Sequence, residues 1–130
     1  MVRRSPPRRR ISSWGDPQRR RELLHALPKT DLHVHLDGSL RPSTLLELAK
    51  EQGARLPFRT LPDLTAAFAH LTSGVSLPEY LKAFQWTVRV MQDRGSIERV
   101  AFELAEDAHR ENIRYMEVRY CPALHTKGGL

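Results

Sequence analysis

Two histidines stand two positions apart in the segment from residue 31 to residue 38, which reads Asp-Leu-His-Val-His-Leu-Asp-Gly. Residues two apart on a β-strand share a face and lie about 6 to 7 Å apart. The imidazoles of His33 and His35 can therefore converge on one metal ion at metal–nitrogen distances of about 2.0 to 2.1 Å. The spacing is competent for chelation, although His-x-His pairs also arise by chance on exposed strands.

The next two polar or small positions extend this candidate site. Asp37 has the same parity as the histidines and lies where the strand is expected to end, so its carboxylate can point toward the same place. Gly38 would let the backbone turn away, or let a ligand approach the backbone closely. The segment predicts a polar site at the end of a strand.

The residues around the histidines predict that strand. Polar and apolar residues alternate from Lys29 to Leu36, which is the period-two pattern of a half-buried strand. A second strand is predicted from Ile113 to Tyr120, where β-branched and aromatic residues lie between Asn112 and Pro122.

Capping patterns and apolar residues at helical spacing predict four helices between the two strands. The helices are expected to begin at Thr44, Asp63, Ser76 and Ser96 and to end at Gly53, about His70, Gly95 and Asn112. This order favours a parallel α/β unit with a right-handed crossover. Because the crossover is long, the extra helices are expected to cover one end of the sheet.

The formal charge of +6 is concentrated at the amino terminus. Residues 1–21 hold eight arginines against one aspartate, whereas the remaining 109 residues have a net charge of −1. Residues 1–24 are predicted to be a disordered basic tail, since they cannot bury enough apolar surface to offset the entropy of ordering. The near-neutral remainder argues against a nucleic-acid-binding module, which would place basic residues on the folded surface.

Cysteine content and hydropathy exclude several classes of protein. Cys121 is the only cysteine, so an internal disulfide and a multi-cysteine zinc site are excluded, and a packed thiol beside Pro122 is expected. The His-x-Glu and Pro-Cys-x-x-Cys pattern of cytidine-type deaminases is excluded with them. No secretory signal or membrane span is evident, which predicts a soluble cytoplasmic protein.

Residues 27–42, Leu-Pro-Lys-Thr-Asp-Leu-His-Val-His-Leu-Asp-Gly-Ser-Leu-Arg-Pro, closely resemble the first-strand signature of the adenosine deaminase family. Residues 76–84 resemble the helix that covers the pocket in that family, and residues 117–122 resemble its second barrel strand. The resemblance covers residues 25–130. It implies the N-terminal part of a TIM (β/α)8 barrel, with extra helices between the first two strands and the chemistry at the carboxyl ends of the strands.

The resemblance also implies roles for individual residues. His33 and His35 would be zinc ligands, and Asp37, beside Gly38, would bind the 5′-hydroxyl of a purine nucleoside. An apolar lid over the nucleoside would be formed by Leu77, Tyr80, Leu81 and Phe84. On the pattern alone, the same four positions are equally typical of a helix that packs into a core.

The implied reaction is hydrolytic deamination of adenosine to inosine and ammonia, in which zinc lowers the pKa of a water molecule toward about 7. The family takes its remaining metal ligands and its general acid from later strands, so no catalytic residue is predicted within this chain. His70, His109 and His125 are expected at the surface or in loops. A complete barrel takes about 250 residues. The remainder is expected from a longer chain, and the isolated chain is expected to be inactive and, with unpaired sheet edges, unstable.

Other readings stay open from the sequence alone. Adenine deaminases and aminofutalosine deaminases share the metal chemistry, although Asp37 favours a nucleoside because the adenine-specific relatives tend to carry glutamate there. AMP deaminase is disfavoured because the motif shows no feature that selects phosphate. A truncated paralogue without catalytic activity is a further alternative.

Overall fold

The structure is a computed structural model that describes residues 16–127. These residues form six α-helices and two β-strands, with a 3-10 turn after each strand, at Leu36–Gly38 and Pro122–Leu124. In chain order the elements are α1 (Pro17–Ala26), β1 (Lys29–His35), α2 (Pro42–Glu51), α3 (Leu61–Leu71), α4 (Leu77–Leu81), α5 (Phe84–Val90), α6 (Arg94–Arg110) and β2 (Ile113–Arg119).

The two strands pair in parallel, which confirms the predicted α/β unit. The register places Asp31 opposite Met116 and His35 opposite Arg119, so β1 contains one more residue than β2 between these pairs. The carboxylate of Asp31 accepts a hydrogen bond from the His33 amide N–H at 3.2 Å, within this irregular stretch. Such a bulge re-aims the side chains that follow it. The alternation predicted for the whole strand is therefore interrupted between Asp31 and Val34, a stretch that includes His33.

The hydrophobic core lies among the helices and not on the strands. Its buried members come from α2, α3, α5, α6 and the turn after β1, namely Leu36, Leu40, Leu45, Leu48, Ala49, Leu64, Val90, Met91 and Val100. No residue of β1 or β2 is fully buried. Leu32, which the alternation places on the apolar face of β1, is 58% exposed. The helices therefore hold the turn after β1 in place from one side.

Three predicted helix starts are wrong by a few residues, and the third, at Ser96, is replaced by an N-cap at Asp93. The N-cap of α2 is Arg41 and not Thr44, whose buried hydroxyl donates to Glu103 Oε2 on α6 at 2.6 Å. The N-cap of α3 is Thr60 and not Asp63, because the Thr60 hydroxyl oxygen accepts the Asp63 amide N–H at 3.3 Å. Both helices carry proline in the first turn, where its fixed φ and missing N–H are favourable.

The single helix predicted from Ser76 to Gly95 is two helices. It breaks after Leu81 and resumes as α5, which ends at Val90. Asp93 then caps α6 by accepting the Ser96 amide N–H at 2.9 Å, so Gly95 lies in the first turn of α6 and ends no helix. The predicted ends of α2 and α6 are supported, since Gly53 and Asn112 follow these helices with φ values of +64° and +59°.

Part of the predicted disordered tail is helical. Pro17–Ala26 form α1, which Asp16 caps by accepting the Gln18 amide N–H at 3.0 Å. An N-cap aspartate followed by proline is a strong start signal, and it offsets the local arginine repulsion. Residues 17–24 of the predicted tail thus lie in a helix, although α1 buries no side chain. The rest of the predicted tail, residues 1–15, lies outside the described residues.

Candidate functional site

The end of β1 brings the two histidines together. His33 Nε2 and His35 Nε2 lie 3.0 Å apart, and the two ring centroids are 5.0 Å apart. Two nitrogens at this separation can each reach a common ion at 2.0 to 2.1 Å. The backbone after His35 is held by Ser39, whose hydroxyl donates to the His35 carbonyl oxygen at 2.6 Å.

Asp37 lies in the 3-10 turn that follows and is only 4% exposed. Its Oδ1 atom has no hydrogen-bond partner among the described residues. His35 Nδ1 lies 3.8 Å from that oxygen, beyond hydrogen-bond distance. A buried carboxylate without a partner is costly, which makes a ligand group a natural partner for it.

A cavity of about 790 Å³ opens above these groups. All eight residues predicted for the site line it: His33, His35, Asp37, Gly38, Leu77, Tyr80, Leu81 and Phe84. The cavity is also lined by residues that the sequence pattern did not indicate, including Ser39, Arg119, Tyr120, Cys121 and Leu124. A signal for the last four was available, because the carboxyl ends of parallel strands meet at one edge of a sheet and β2 ends at Arg119.

The helix residues predicted as a lid face this cavity and not the core. Leu77, Tyr80 and Leu81 are exposed, and α4 contributes no buried side chain. Phe84, at the start of α5, is half-buried and places its ring centroid 6.0 Å from that of Tyr80 and 6.1 Å from that of His35. The helical break after Leu81 thus presents apolar side chains to the polar site.

Gly38 lies in the turn after β1, on the cavity wall, and its close approach to a ligand stays a prediction. Positive φ among the described glycines is confined to Gly53 and Gly74, so no left-handed turn requires glycine at position 38. A Cβ at this position would lie 3.0 Å from Cε1 and Cζ of Phe84. The close neighbour is therefore a side chain of the lid.

One further expectation about a single residue is corrected, since Cys121 is exposed at the cavity wall and is not a packed thiol. His125 lies in a loop, as expected. It is buried there, at 2% exposure, with Nδ1 2.7 Å from the Met91 carbonyl oxygen, because the loop after β2 folds back on the end of α5. His70 and His109 are exposed as expected.

The turn that carries Asp37 is anchored from behind through Arg41. The Arg41 guanidinium donates from Nε and Nη2 to the two carboxylate oxygens of Asp107 on α6, at 2.8 and 2.6 Å, and from Nη2 to Glu106 at 2.7 Å. These hydrogen bonds hold the pKa of Asp107 below its usual value. The pair fixes the connection between β1 and α2 against the longest helix.

The described residues contain only part of a metal centre. Within residues 16–127, no group of three or more histidine, cysteine, aspartate or glutamate side chains is arranged to hold a metal ion. The two imidazoles fit two positions of a metal coordination sphere, which ordinarily takes at least three protein ligands in a catalytic zinc site. No helix in the described part of the chain is both long and apolar enough to cross a bilayer.

Comparison with known proteins gives a consistent result. The sequence profile of the family named Adenosine deaminase matches residues 28–130. The adenosine deaminase of Shewanella halifaxensis is 50% identical over 104 residues, which are 80% of this chain and 31% of that protein. The probable adenosine deaminase of Dictyostelium discoideum is 46% identical over 110 residues, covering 84% of this chain and 14% of that protein.

Solved structures share the fold of this part. The crystal structure of an Arabidopsis N6-mAMP deaminase superposes with a TM-score of 0.59 at 34% identity, over 78% of this chain and 29% of that one. Arabidopsis ADAL complexed with GMP gives a TM-score of 0.57 at 34% identity, over 76% and 28% of the two chains. The chain therefore spans less than a third of the length of these relatives.

Proposed function

Because this chain belongs to the adenosine deaminase family, we propose that it is the amino-terminal part of a zinc-dependent enzyme that hydrolyses adenosine to inosine and ammonia. The observation that carries the proposal is the pair of Nε2 atoms 3.0 Å apart at the carboxyl end of a parallel strand, on the wall of an 790 Å³ cavity. Barrel enzymes place their chemistry at that end of the strands.

Seven residues on the cavity wall have a part in this proposal. His33 and His35 hold two positions of the metal, which would supply a Lewis acid and lower the pKa of water toward about 7. Asp37 accepts a hydrogen bond from the 5′-hydroxyl of the nucleoside. Leu77, Tyr80, Leu81 and Phe84 cover the purine and exclude water from it, which strengthens the polar interactions in the site.

The remaining ligands and the general acid come, in this proposal, from parts of a longer protein. Two ligands from one strand do not complete a catalytic zinc site. The isolated chain of 130 residues is therefore proposed to be inactive, and its strand edges need the remaining strands of the barrel.

A nucleotide substrate is a second candidate, favoured by the relatives solved as an N6-mAMP deaminase and with bound GMP. The buried carboxylate of Asp37 argues against it. A 5′-phosphate at the position proposed for the 5′-hydroxyl would meet an unpaired negative charge in a poorly solvated place, and like charges repel strongly there. We therefore place the nucleoside first.

The experiment uses the full-length protein that contains this chain. Ammonia release is measured with adenosine, AMP and N6-methyl-AMP, each with and without a chelator, and bound zinc is measured by atomic absorption. We expect chelator-sensitive turnover of adenosine. His33→Ala is expected to remove most bound zinc and to lower turnover by at least about a hundredfold, since zinc supplies the main activation of water.

His70→Ala is the matched control, because His70 is an exposed histidine on α3. It should leave zinc content and turnover unchanged. Full zinc content together with full turnover in His33→Ala would reject the ligand assignment. Turnover of adenine or aminofutalosine in place of adenosine would redirect the substrate, and a zinc-free, inactive full-length protein would indicate a paralogue without catalytic activity.

A further inference from the structure

The geometry points to Phe84 as a positioning residue that orients the His35 imidazole, with glycine at position 38 as the condition for its approach. The inference rests on the proposed function, since it concerns how one of the two proposed metal ligands is held. It adds a role for Phe84 beyond covering the substrate.

The His35 imidazole has few contacts that could fix its orientation. A metal-bound histidine is usually held by a hydrogen bond from its second ring nitrogen. Here Nδ1 of His35 is 3.8 Å from Asp37 Oδ1 and has no hydrogen bond to any residue from 16 to 127. Nε2 faces His33, on the side that a metal would take. Among residues 16–127, the contacts left to orient the His35 ring are the His33 imidazole, with its centroid 5.0 Å away, and packing against the ring from the lid.

Phe84 packs against the His35 ring. The Phe84 and His35 rings have centroids 6.1 Å apart and planes at 85° to each other, which is the edge-to-face arrangement that aromatic pairs prefer. Phe84 is itself held by Tyr80, at 6.0 Å and 69°. The α4–α5 segment thus reaches the proposed metal ligand through one aromatic ring.

Gly38 lies directly beside the Phe84 ring. The Phe84 ring passes so close to this residue that a Cβ would lie 3.0 Å from two ring carbons, closer than ordinary packing allows. The backbone conformation does not itself require glycine here. Glycine at position 38 is therefore explained by the need to admit the ring.

A displaced Phe84 ring would have space to move into. A second cavity of about 170 Å³ lies beside Phe84 and Gly38, lined also by Leu40, Phe68, Leu71 and Thr87, and it does not include His35. A methyl group at position 38 can push the ring into this space. The expected consequence is a loss of contact with His35 and not a loss of the fold.

The test measures metal binding without turnover. The full-length protein is stripped of metal and titrated with Co²⁺, and affinity and the visible absorption spectrum are recorded for Phe84→Leu, Gly38→Ala and the double variant. Phe84→Leu and Gly38→Ala are each expected to weaken Co²⁺ binding about tenfold, the lower end for groups that orient a metal-bound histidine. Both should also alter the Co²⁺ spectrum.

The double variant tests the coupling between the two positions. Leucine lacks the ring atoms that a Cβ at position 38 would meet, so Gly38→Ala should weaken binding by less than about twofold in the Phe84→Leu background. Phe68→Leu is the matched control, because Phe68 lines the same small cavity but makes no ring contact with His35. It should change Co²⁺ affinity by less than about twofold.

Wild-type affinity and spectrum in Phe84→Leu would overturn the inference, as would an equal loss in Phe68→Leu. If Phe84→Leu does not fold, Phe84→Met fills a similar volume without an aromatic ring and is judged by the same criteria. His33→Ala and His35→Ala distinguish a failure of the proposed metal site from a failure of the role inferred for Phe84. If neither weakens Co²⁺ binding, the proposed metal site fails; if both abolish it while Phe84→Leu does not, only the inference about Phe84 fails.

Discussion

At the scale of single residues, the surroundings of the Asp37 carboxylate bear most directly on the proposed ligand. Asp37 is 4% exposed, lines the large cavity, and leaves Oδ1 without a partner among residues 16–127. Burial of an unpaired carboxylate costs free energy that a ligand hydroxyl can recover by donating a hydrogen bond. The same carboxylate repels a phosphate. The choice between nucleoside and nucleotide is thus expected to depend on this one charge.

Asp37→Asn in the full-length protein should shift substrate preference toward the nucleotide. Asparagine keeps the shape but removes the charge, so a charge-assisted hydrogen bond to the 5′-hydroxyl becomes a neutral one. We expect kcat/KM for adenosine to fall about tenfold. We expect kcat/KM for AMP to stay constant or rise, since repulsion is removed. Steady-state kinetics with both substrates measure the ratio.

Glu79→Gln is the control for this prediction. It removes one negative charge from α4, near the cavity, on a side chain that is 47% exposed. Solvent screening there should leave the substrate ratio unchanged. If Asp37→Asn lowers kcat/KM equally for both substrates, Asp37 does not discriminate the 5′ group.

At the scale of elements, α6 supports the turn at Leu36–Gly38 that follows β1. Its start is defined by Asp93, whose two carboxylate oxygens accept the Ser96 amide N–H at 2.9 Å and the Ser96 hydroxyl at 2.6 Å. These bonds lower the pKa of Asp93. Gln52, at the end of α2, also donates to Asp93, at 3.1 Å. The cap therefore joins two core helices as well as starting one.

Asp93→Ala is expected to lower the free energy of unfolding by about 1 to 2 kcal/mol, the upper part of the range for loss of an N-cap. The reason is that Ser96 and Gln52 lose an acceptor together with the first turn of α6. Urea unfolding followed by circular dichroism measures the change in the full-length protein.

Asp16→Ala offers a matched cap deletion. Asp16 caps α1 in the same way, but α1 buries no side chain, so its fraying should leave the global unfolding free energy nearly unchanged. Equal destabilisation by the two substitutions would contradict the view that the Asp93 cap matters through its tertiary contacts.

At the scale of the whole molecule, the ion pair between Arg41 and Asp107 spans 66 positions in sequence. It connects the segment after β1 to α6. The hydrogen bonds from Arg41 lower the pKa of Asp107 in the folded state. A carboxyl group with a lowered folded-state pKa stabilises the fold above its unfolded pKa of about 3.9 and loses this contribution as pH falls through the folded-state value. The stabilisation from this pair is therefore complete at pH 7 and disappears in acid.

Asp107→Asn should reproduce that loss without a change in pH. We expect the variant to be less stable than the wild type at pH 7, and we expect the difference to shrink as pH falls below about 3.9. Urea unfolding at several pH values measures it. Glu98→Gln, which breaks an exposed pair with Arg94 within α6, should show little difference at any pH. A constant Asp107→Asn difference across this range would contradict the assignment.

The strands raise a separate question of coverage. Leu32 on β1 and Val118 on β2 are 58% and 43% exposed, whereas parallel strands in barrels are normally buried on both faces. The chain spans 31% of the length of its Shewanella relative. In the proposed full-length enzyme, further strands and helices would cover these faces.

The sequence by itself determined the features that depend on neighbouring residues. The strands at Lys29–His35 and Ile113–Arg119, the helix ends at Gly53 and Asn112, and the grouping of His33, His35 and Asp37 follow from periodicity, turn chemistry and spacing within a few positions. Parallel pairing followed from the order of the elements. The roles proposed for these residues, and the choice of Leu77, Tyr80, Leu81 and Phe84 as a lid, came from the family resemblance.

Tertiary structure decided what depends on partners far along the chain. Thr44 bonds Glu103 across 59 positions instead of capping its own helix, and His125 is buried against Met91, 34 positions away. A Cβ at position 38 would lie 3.0 Å from the ring of Phe84, a neighbour that no local pattern identifies. Such contacts are set by packing in three dimensions, where any of many distant side chains could occupy a given place, so periodicity and capping rules carry no information about them.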